Sequence, residues 1–216
     1  MSNSQKSRRE FLQQASVMLA VPFILNCRTD TSAQDKSLGL LDEIKKNAIN
    51  DPSSEWWGAK DAPPNVGFKT TLATASDQAP RLRITGTVYQ SDGKTPAPNI
   101  LIYLYHTDAY GIYGRTSEHR HGKYRGWVLT DTAGRYGIDT IMPASYPSST
   151  TAAHIHMTLT GKNLREDWID SILFEGDRFL TTRDRVIRKG GFRFNPVLKL
   201  EKDANGVLAG VRDIRL

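Results

Sequence analysis

Short apolar runs separated by turns dominate the pattern along the chain. Residues Leu82–Tyr89 alternate apolar and polar side chains, and a nearly continuous apolar run, NILIYLYH at Asn99–His106, follows after a turn rich in Gly and Pro. Three more β-rich runs follow (GWVLTD, AGRYGIDTI and HIHMTLTG), and the C-terminal segment has two alternating runs around Asn205-Gly206, a strong hairpin signal. This pattern predicts an all-β protein, a β-sandwich with long loops and little helix.

Two segments depart from this pattern. The stretch Ser37–Asn47 has apolar residues at helical spacing and predicts one short helix before a turn-rich lead-in, EWWGAKDAPPNVG. The segment Asn163–Phe179 fits either a helix or a strand after a loop, and we expect a short strand around Asp170–Phe174.

The first 35 residues are typical of a targeting segment. Arg8 and Arg9 lie within SRREFLQ, which is similar to the twin-arginine export signal, and the apolar stretch that follows is too short to span a bilayer. We therefore expect residues 1–35 to form an export signal with its linker and residues 36–216 to form a single domain. An amphipathic N-terminal helix is the alternative.

The only cysteine, Cys27, directly follows the apolar stretch and has no second cysteine for an internal disulfide. The preceding residues, ILNC, loosely resemble a lipoprotein cleavage box, so Cys27 is a candidate for a lipid anchor. Cleavage after Ala33 is the competing alternative. Both predict an exported protein, either periplasmic or a membrane-anchored lipoprotein.

The net charge of +6 does not indicate a nucleic-acid-binding protein. Residues 1–27 account for +2 of it, because they hold three basic residues and one acidic residue. The remaining surplus is scattered among acids, without a basic helix or a basic-aromatic stripe, so we expect no nucleic-acid partner.

Two histidines flank Ile155 at the end of YPSSTTAAHIH, residues Tyr146–His156. In a β-strand, residues i and i+2 point to the same face, so His154 and His156 project together and Ile155 projects the opposite way. Histidine is a common metal ligand, but a pair is only half a metal site. A polar strand face that happens to hold two histidines is the competing interpretation.

Three segments together resemble a known family. The order and spacing of HTDAYGIYG, TDTAGRYGIDTIMPASYP and HIH resemble the intradiol ring-cleavage dioxygenases, the ferric enzymes related to catechol and protocatechuate dioxygenases. The middle block matches almost position by position, with Ile138 where an aromatic residue is usual, and FEGD at Phe174–Asp177 is similar to the segment after the family's HIH strand. The resemblance implies the family's prealbumin-like β-sandwich.

The resemblance also implies a cofactor and its ligands. It makes Tyr113, Tyr146, His154 and His156 the ligands of Fe(III). Ferric iron is a hard Lewis acid, so anionic tyrosinate oxygens stabilise it and imidazoles complete the shell. Tyr110, in the same AYGIYG loop, is a rival for Tyr113.

The family chemistry implies a small aromatic diol and O2 as substrates. The ring opens between the two oxygen-bearing carbons to give a cis,cis-muconate-type product, and Tyr146 is the implied tyrosinate that is displaced and takes a substrate proton. Tyr105, Ile112, Thr151 and Ser171 are the candidate substrate contacts. Family members often form oligomers, and the sequence leaves the assembly and the particular catechol open.

Two polar positions differ from the family pattern. TAA at Thr151–Ala153 stands where Arg-Pro-Ala is usual, and Ser171 stands where glutamine is usual. The family arginine is expected to stabilise negative charge on the activated substrate, and its loss costs several kcal/mol of transition-state stabilisation if nothing replaces it. We hypothesise that Arg120 or Arg125 supplies the missing charge; drift to another substrate or to no chemistry is the alternative.

The loop RTSEHRHGKYR, which holds both arginines, can equally be a solvated charged loop, and we interpret its His119 and His121 as exposed. For the whole chain, the alternative is a non-catalytic binding module. Exported transthyretin-like or carboxypeptidase-regulatory-like domains carry a similar Gly-rich hairpin and D-x-x-G-x-Y turn. Those modules have no reason to pair YP with HIH at a fixed gap, and this favours the iron enzyme.

Overall fold

The computed structural model describes residues 31–48, 56–114, 119–186 and 195–216. The predicted export signal, with Arg8, Arg9 and Cys27, lies outside these residues. Within the described ranges, no helix is long and apolar enough to cross a membrane.

One α-helix, two short 3-10 turns and twelve strands make up the described parts of the chain. The helix α1 spans Thr31–Ala48, so it begins inside the predicted linker and six residues before the predicted start; the 3-10 turns are Ala59–Asp61 and Arg183–Arg185. The strands are β1 (Lys69–Thr71), β2 (Arg81–Tyr89), β3 (Leu101–His106), β4 (Arg125–Leu129), β5 (Arg135–Ile141), β6 (His154–Gly161), β7 (Leu164–Trp168), β8 (Ile172–Phe174), β9 (Val197–Leu198), β10 (Glu201–Lys202), β11 (Leu208–Val211) and β12 (Ile214–Arg215).

The strands form two sheets that pack face to face. The first sheet has the order β1-β5-β2-β11-β10, with β12 also paired to β2, and the second has the order β4-β3-β6-β8-β9, with β7 also paired to β6. Side chains from both sheets, among them Ile84, Ile138, Ile102 and Ile155, share one buried cluster between the layers. The predicted all-β sandwich with little helix is confirmed.

Strand β3 is buried along its whole length, and this explains its nearly continuous apolar run. Ile102 and Leu104 belong to the core between the sheets, whereas Leu101 packs with Leu41 and Ile44 of α1 on the outer face of the second sheet. The helix therefore covers one end of that outer face, and the other end carries the rings of Tyr103 and Tyr105, which share a face with Leu101 by strand periodicity.

The buried carboxylate of Glu166 connects the segment before β1 to this outer face through hydrogen bonds. Glu166 on β7 accepts hydrogen bonds from the backbone N–H groups of Gly58 (3.0 Å) and Ala59 (3.2 Å) and from the hydroxyl of Thr158 (2.6 Å). Trp127 Nε1 donates to the Gly58 carbonyl at 2.7 Å. These contacts hold the neighbouring Trp56 close to β3 and β6.

The ambiguous segment and the predicted tail hairpin both form strands. Segment Asn163–Phe179 contains the expected short strand as β8 and, in addition, β7, which the sequence pattern did not indicate. The predicted tail hairpin is confirmed: β10 and β11 pair antiparallel, and Gly206 supplies the positive φ of 77° that the turn requires.

Candidate metal centre

Four polar side-chain atoms converge at the end of the second sheet that the helix leaves open. Tyr113 Oη lies 2.6 Å from Tyr146 Oη, which lies 3.2 Å from His154 Nε2, and His154 Nε2 lies 3.0 Å from His156 Nε2. All four side chains are half-buried, so the cluster is enclosed but can still be reached. The structure brings together the four predicted metal ligands, and it is Tyr113 rather than Tyr110 that joins them, since Tyr110 is 80% exposed.

Strand β6 holds the two histidines by its alternation. Ile155 is fully buried in the core between the sheets, so His154 and His156 project together from the outer face, as the i, i+2 spacing predicts. His154 Nδ1 lies 2.7 Å from the Ala152 carbonyl, which can only accept, so Nδ1 carries the proton and Nε2 keeps a free lone pair. Ser171 Oγ lies 3.3 Å from His156 Nδ1 and helps to orient that ring.

The two tyrosines come from loops that are bonded to each other. In the loop after β3, Asp108 Oδ1 accepts from the N–H groups of Tyr110 and Ile112, both at 2.9 Å. The Asp108 carbonyl in turn accepts from Ala144 N–H at 3.1 Å, in the loop before Tyr146. Gly111 lies between them with φ of 78°, and a Cβ there would come 2.0 Å from the Ser145 carbonyl oxygen. A glycine is therefore required for the two loops to approach this closely.

The donor set fits a ferric ion. Donor atoms that share an ion at the usual distances of about 2.0–2.1 Å are themselves about 3 Å apart. The three neighbouring pairs of this cluster are 2.6, 3.2 and 3.0 Å apart. Two phenol oxygens and two imidazole nitrogens combine hard anionic and neutral donors. The described residues contain no group of three or more His, Cys, Asp or Glu side chains that could hold a metal, and the cluster described here combines two histidines with two tyrosines.

Burial favours the neutral forms of His156 and Tyr113 as long as no cation is bound. It lowers the pKa of His156 to about 3, with His154 and His121 as further causes, so the imidazole is neutral and ready to coordinate. Burial and the hydrogen bond with Tyr146 raise the pKa of Tyr113 far above its ordinary value. A phenolate at Tyr113 therefore requires a cation beside it.

Two cavities reach the cluster. The first, which we call the β8 cavity, has a volume of about 540 Å³ and includes His154, His156, Thr151, Ser171 and Trp168 in its wall. The second, the Trp56 cavity, has a volume of about 530 Å³. Its wall is formed by three of the four cluster side chains and by five aromatic or basic neighbours: Tyr113, Tyr146 and His156, with Trp56, Tyr105, Arg120, His121 and Trp168.

The predicted substrate contacts divide between these cavities. Thr151 and Ser171 line the β8 cavity and Tyr105 lines the Trp56 cavity. Ile112 is half-buried and is absent from the described wall of either cavity, although its backbone shapes the Tyr113 loop. The substrate role of all four residues stays a prediction.

The interpretation of His121 as an exposed residue is wrong. Only 2% of His121 is exposed, and its ring stacks on Tyr105 with centroids 3.7 Å apart and an interplanar angle of 1°. Tyr103 Oη lies 2.7 Å from His121 Nδ1. Burial, followed by the charges of His119 and Arg120, lowers the pKa of His121 to about 3. A Gly-rich polar loop gives no periodic signal, so the sequence could not indicate that aromatic rings enclose this one residue.

Sequence analysis also missed the two tryptophans of the cavity walls. Trp56 lies in the lead-in, 5.8 Å from the His121 ring, and Trp168 ends β7, 5.8 Å from the His156 ring. Both positions depend on long-range packing. The one available signal was the presence of large aromatic side chains in EWWG and EDWID, two segments otherwise polar.

Comparisons with known proteins agree with this geometry. A family model described as a dioxygenase matches residues 60–210 of the chain. Catechol 1,2-dioxygenase from Acinetobacter baylyi is 30% identical over 125 residues, which are 56% of this chain and 38% of that enzyme. The match thus spans less than half of the relative's length.

Solved structures show the same fold at low sequence identity. The dioxygenase domain of a dioxygenase and carbohydrate-binding protein fusion from Streptomyces sp. SirexAA-E has a TM-score of 0.56 at 22% identity, over 71% of this chain and 90% of that one. Catechol 1,2-dioxygenase from Pseudomonas arvilla C-1 has a TM-score of 0.57 at 20% identity, over 86% of this chain and 66% of that one.

Proposed function

The chain belongs to the intradiol ring-cleavage dioxygenase family, and on that premise we propose that it binds Fe(III) and opens a catechol-type ring with O2. The observation that carries the proposal is the convergence of Tyr113, Tyr146, His154 and His156, whose polar atoms lie 2.6–3.2 Å from their neighbours. These four residues would hold the ion. Bound Fe(III) would supply the Lewis acidity that stabilises phenolates and activates the diol toward O2.

The residues of the chain have separate tasks in this reaction. His154 and His156 are fixed by a core strand and by hydrogen bonds at Nδ1, so they serve as rigid neutral donors. Tyr146 is held by a loop and touches both Tyr113 and His154. We assign Tyr146 as the residue that leaves the cluster when the diol enters and accepts one of its hydroxyl protons.

The reaction balances without a reductant. One bond breaks between the two oxygen-bearing ring carbons, and both atoms of O2 enter the product, a cis,cis-muconate-type diacid. The cluster is half-buried, and a diol that fills an adjacent cavity would displace water from around its ring.

The proposal is tested with purified, iron-loaded protein and a panel of catechols and hydroxyquinols. We expect a red-brown colour from tyrosinate-to-iron charge transfer, one iron per chain, and O2 consumption with a ring-opened product. Product identification separates intradiol from extradiol cleavage. A colourless protein without stoichiometric iron would instead support the non-catalytic binding module.

Export is part of the proposal. We propose that the enzyme acts outside the cytoplasm after twin-arginine export, a route for proteins that are already folded around a cofactor. The double substitution Arg8→Lys and Arg9→Lys should retain the protein in the cytoplasm in cell fractionation. Labelling with a radioactive fatty acid, compared with Cys27→Ser, distinguishes a lipid anchor from cleavage after Ala33.

A further inference from the structure

A single peptide group links one histidine of the cluster to a carboxylate outside it. The carbonyl oxygen of Ala152 lies 2.7 Å from His154 Nδ1, which donates to it. The N–H of the same peptide group belongs to Ala153, and it donates to Asp177 Oδ2 at 3.0 Å. The hydrogen bonds therefore run without a break from the Asp177 carboxylate, through one peptide group, to the imidazole of His154.

The carboxylate of Asp177 is held so that it faces this peptide group. Asp177 belongs to the turn after β8, where its other oxygen, Oδ1, accepts from the N–H of Phe179 at 2.8 Å. The main chain closes the same turn, because the N–H of Asp177 donates to the Phe174 carbonyl at 3.2 Å. Strand β8 pairs with β6, with Leu173 opposite His154, so the turn has a fixed place beside the start of β6.

The surroundings of this peptide group strengthen the effect of the carboxylate. Ala152 and Ala153 are only 4% and 3% exposed, and Asp177 is half-buried, so water screens these hydrogen bonds weakly. Hydrogen bonds in such surroundings polarise one another, and one that involves a charged group is about twice as strong as a neutral one. A negative charge at the N–H end of a peptide group makes its carbonyl oxygen a stronger acceptor. The Ala152 carbonyl should therefore draw the Nδ1 proton of His154 more strongly and leave more electron density at Nε2.

The second histidine of the cluster has a different partner. His156 Nδ1 lies 3.3 Å from the hydroxyl oxygen of Ser171, a neutral group at a longer distance. The two imidazoles therefore differ in the group that acts on them. A carboxylate acts on His154 through a peptide group, whereas a neutral hydroxyl acts on His156.

We propose that Asp177 is a positioning residue of the candidate metal centre, which orients His154 through the Ala152–Ala153 peptide group and makes it the stronger electron donor of the two histidines. Metal-binding histidines commonly donate their second ring N–H to a carboxylate or to a backbone carbonyl, and this raises their basicity as ligands. Here the carbonyl and the carboxylate act in series. A stronger imidazole donor favours Fe(III) over Fe(II). The part of the inference that concerns iron rests on the proposed function, whereas the polarised hydrogen bond of His154 does not.

The hydrogen bond is measured first in the iron-free protein, by NMR of isotope-labelled histidine. A stronger hydrogen bond moves its proton to lower field and protects it from exchange with water. We expect a low-field Nδ1–H signal for His154. The variant Asp177→Asn keeps the shape of the side chain and one acceptor oxygen but removes the charge. It should move this signal to higher field and speed its exchange, and it should leave the ring N–H signal of His156 in place.

The iron-loaded protein tests the second part of the inference. Asp177→Asn should weaken the binding of Fe(III) relative to Fe(II) about 10-fold, which corresponds to a rise of about 59 mV in the one-electron reduction potential. The tyrosinate-to-iron charge-transfer band should move to longer wavelength, because a weaker imidazole donor leaves the ion a better electron acceptor. A merely structural role for Asp177 would lower the iron content but would leave the potential and the band of the remaining iron unchanged.

Asp203→Asn is the matched control. Asp203 also closes a turn with its carboxylate, whose Oδ1 accepts from the N–H groups of Asn205 and Val207 at 2.8 and 3.0 Å, but it lies in the tail hairpin of the other sheet. This variant should leave the His154 signal, the potential and the band as they are in wild type.

The outcomes separate this inference from the proposed function. A His154 ring without a proton at Nδ1, or the same His154 signal in wild type and in Asp177→Asn, would overturn the inference. So would the absence, in wild type, of a scalar coupling across the hydrogen bond between the Ala153 N–H and the Asp177 carboxylate carbon, a measurement that needs no variant. Ring cleavage with an unchanged potential and band in Asp177→Asn would refute the inference and leave the proposed function intact. An Asp177-dependent His154 signal in a protein that binds no iron would refute the proposed function and support the role of Asp177 in orienting His154.

Discussion

A buried histidine outside the candidate metal centre provides a sharp test of the fold. His106 ends β3 and is fully buried. Its Nδ1 lies 2.7 Å from the Thr107 carbonyl and its Nε2 lies 2.7 Å from the Thr140 hydroxyl. The carbonyl accepts the Nδ1 proton and the hydroxyl donates to Nε2, so both nitrogens of the neutral ring are satisfied. A second ring proton would place a positive charge in the core and turn the hydroxyl from a donor into an acceptor. Burial lowers the pKa of His106 from its ordinary value of 6.5 to about 4.

The sign and size of the effect follow from this pKa. As pH falls below 6.5, the unfolded chain takes up a proton at His106 while the folded chain does not, so acid favours unfolding until the folded state also protonates near pH 4. Between pH 7 and pH 5 this single group should remove about 2 kcal/mol from the free energy of unfolding. The loss approaches about 3 kcal/mol below pH 4, where both states are protonated.

Urea denaturation of the iron-free protein at pH 7, 6 and 5 measures this slope without a contribution from iron binding. The variant His106→Gln should be less stable than wild type at pH 7 but should lose about 2 kcal/mol less on going to pH 5. Thr140→Val is the control, because it removes the hydroxyl partner and keeps the imidazole; it should lower stability at both pH values and keep the slope. Equal pH slopes for wild type and His106→Gln would refute the reasoning.

Three further predictions concern the metal centre and its supports. Gly111→Ala should reduce the iron content per chain in metal analysis. The control Gly206→Ala has a similar φ but no atom within 4 Å of the added Cβ, so it should leave the iron content unchanged. Equal losses in the two variants would contradict the steric argument. Glu166→Ala should lower the free energy of unfolding by about 3 kcal/mol, since it leaves two buried backbone donors unpaired, and the exposed control Glu175→Ala should cost less than about 1 kcal/mol in the same denaturation assay. Iron should bind more tightly to the apoprotein as pH rises, because Tyr113 must lose its proton, and Tyr113→Phe should release one proton fewer per iron in a pH-indicator titration.

The sequence was informative wherever a local repeat determined the structure. The alternation within HIH predicted that His154 and His156 share one face of the strand. The prediction holds because Ile155, on the opposite face, is buried in the core. The same reasoning located most of the strands, and Asn205-Gly206 located the tail hairpin. Tyr113 and Tyr146 followed from the resemblance to the family, because loop tyrosines have no pattern of their own.

The sequence was uninformative where burial comes from distant segments. Glu166 lies in the polar run LREDW and would ordinarily face solvent, but the lead-in brings two backbone N–H groups to its carboxylate. His121 is buried for a similar reason, since Tyr105 and Trp56 meet over a polar loop. In both cases the partner is more than ten residues away, beyond the reach of a periodic pattern.

The placement of the site separates two of the candidate ligands, His154 and His156, from the polar residues around them. His154 and His156 are fixed by a strand whose other face is core, so altering their positions would disturb the packing between the sheets. Thr151, by contrast, is exposed in the segment before β6, and Arg120 is exposed on the loop before β4. Substitutions at these exposed positions should change the charge near the cluster at little cost to the fold. Mutations that affect iron binding should therefore differ from mutations that affect the choice of substrate. His154 and His156 lie on a core strand, whereas Thr151 and Arg120 lie in exposed segments.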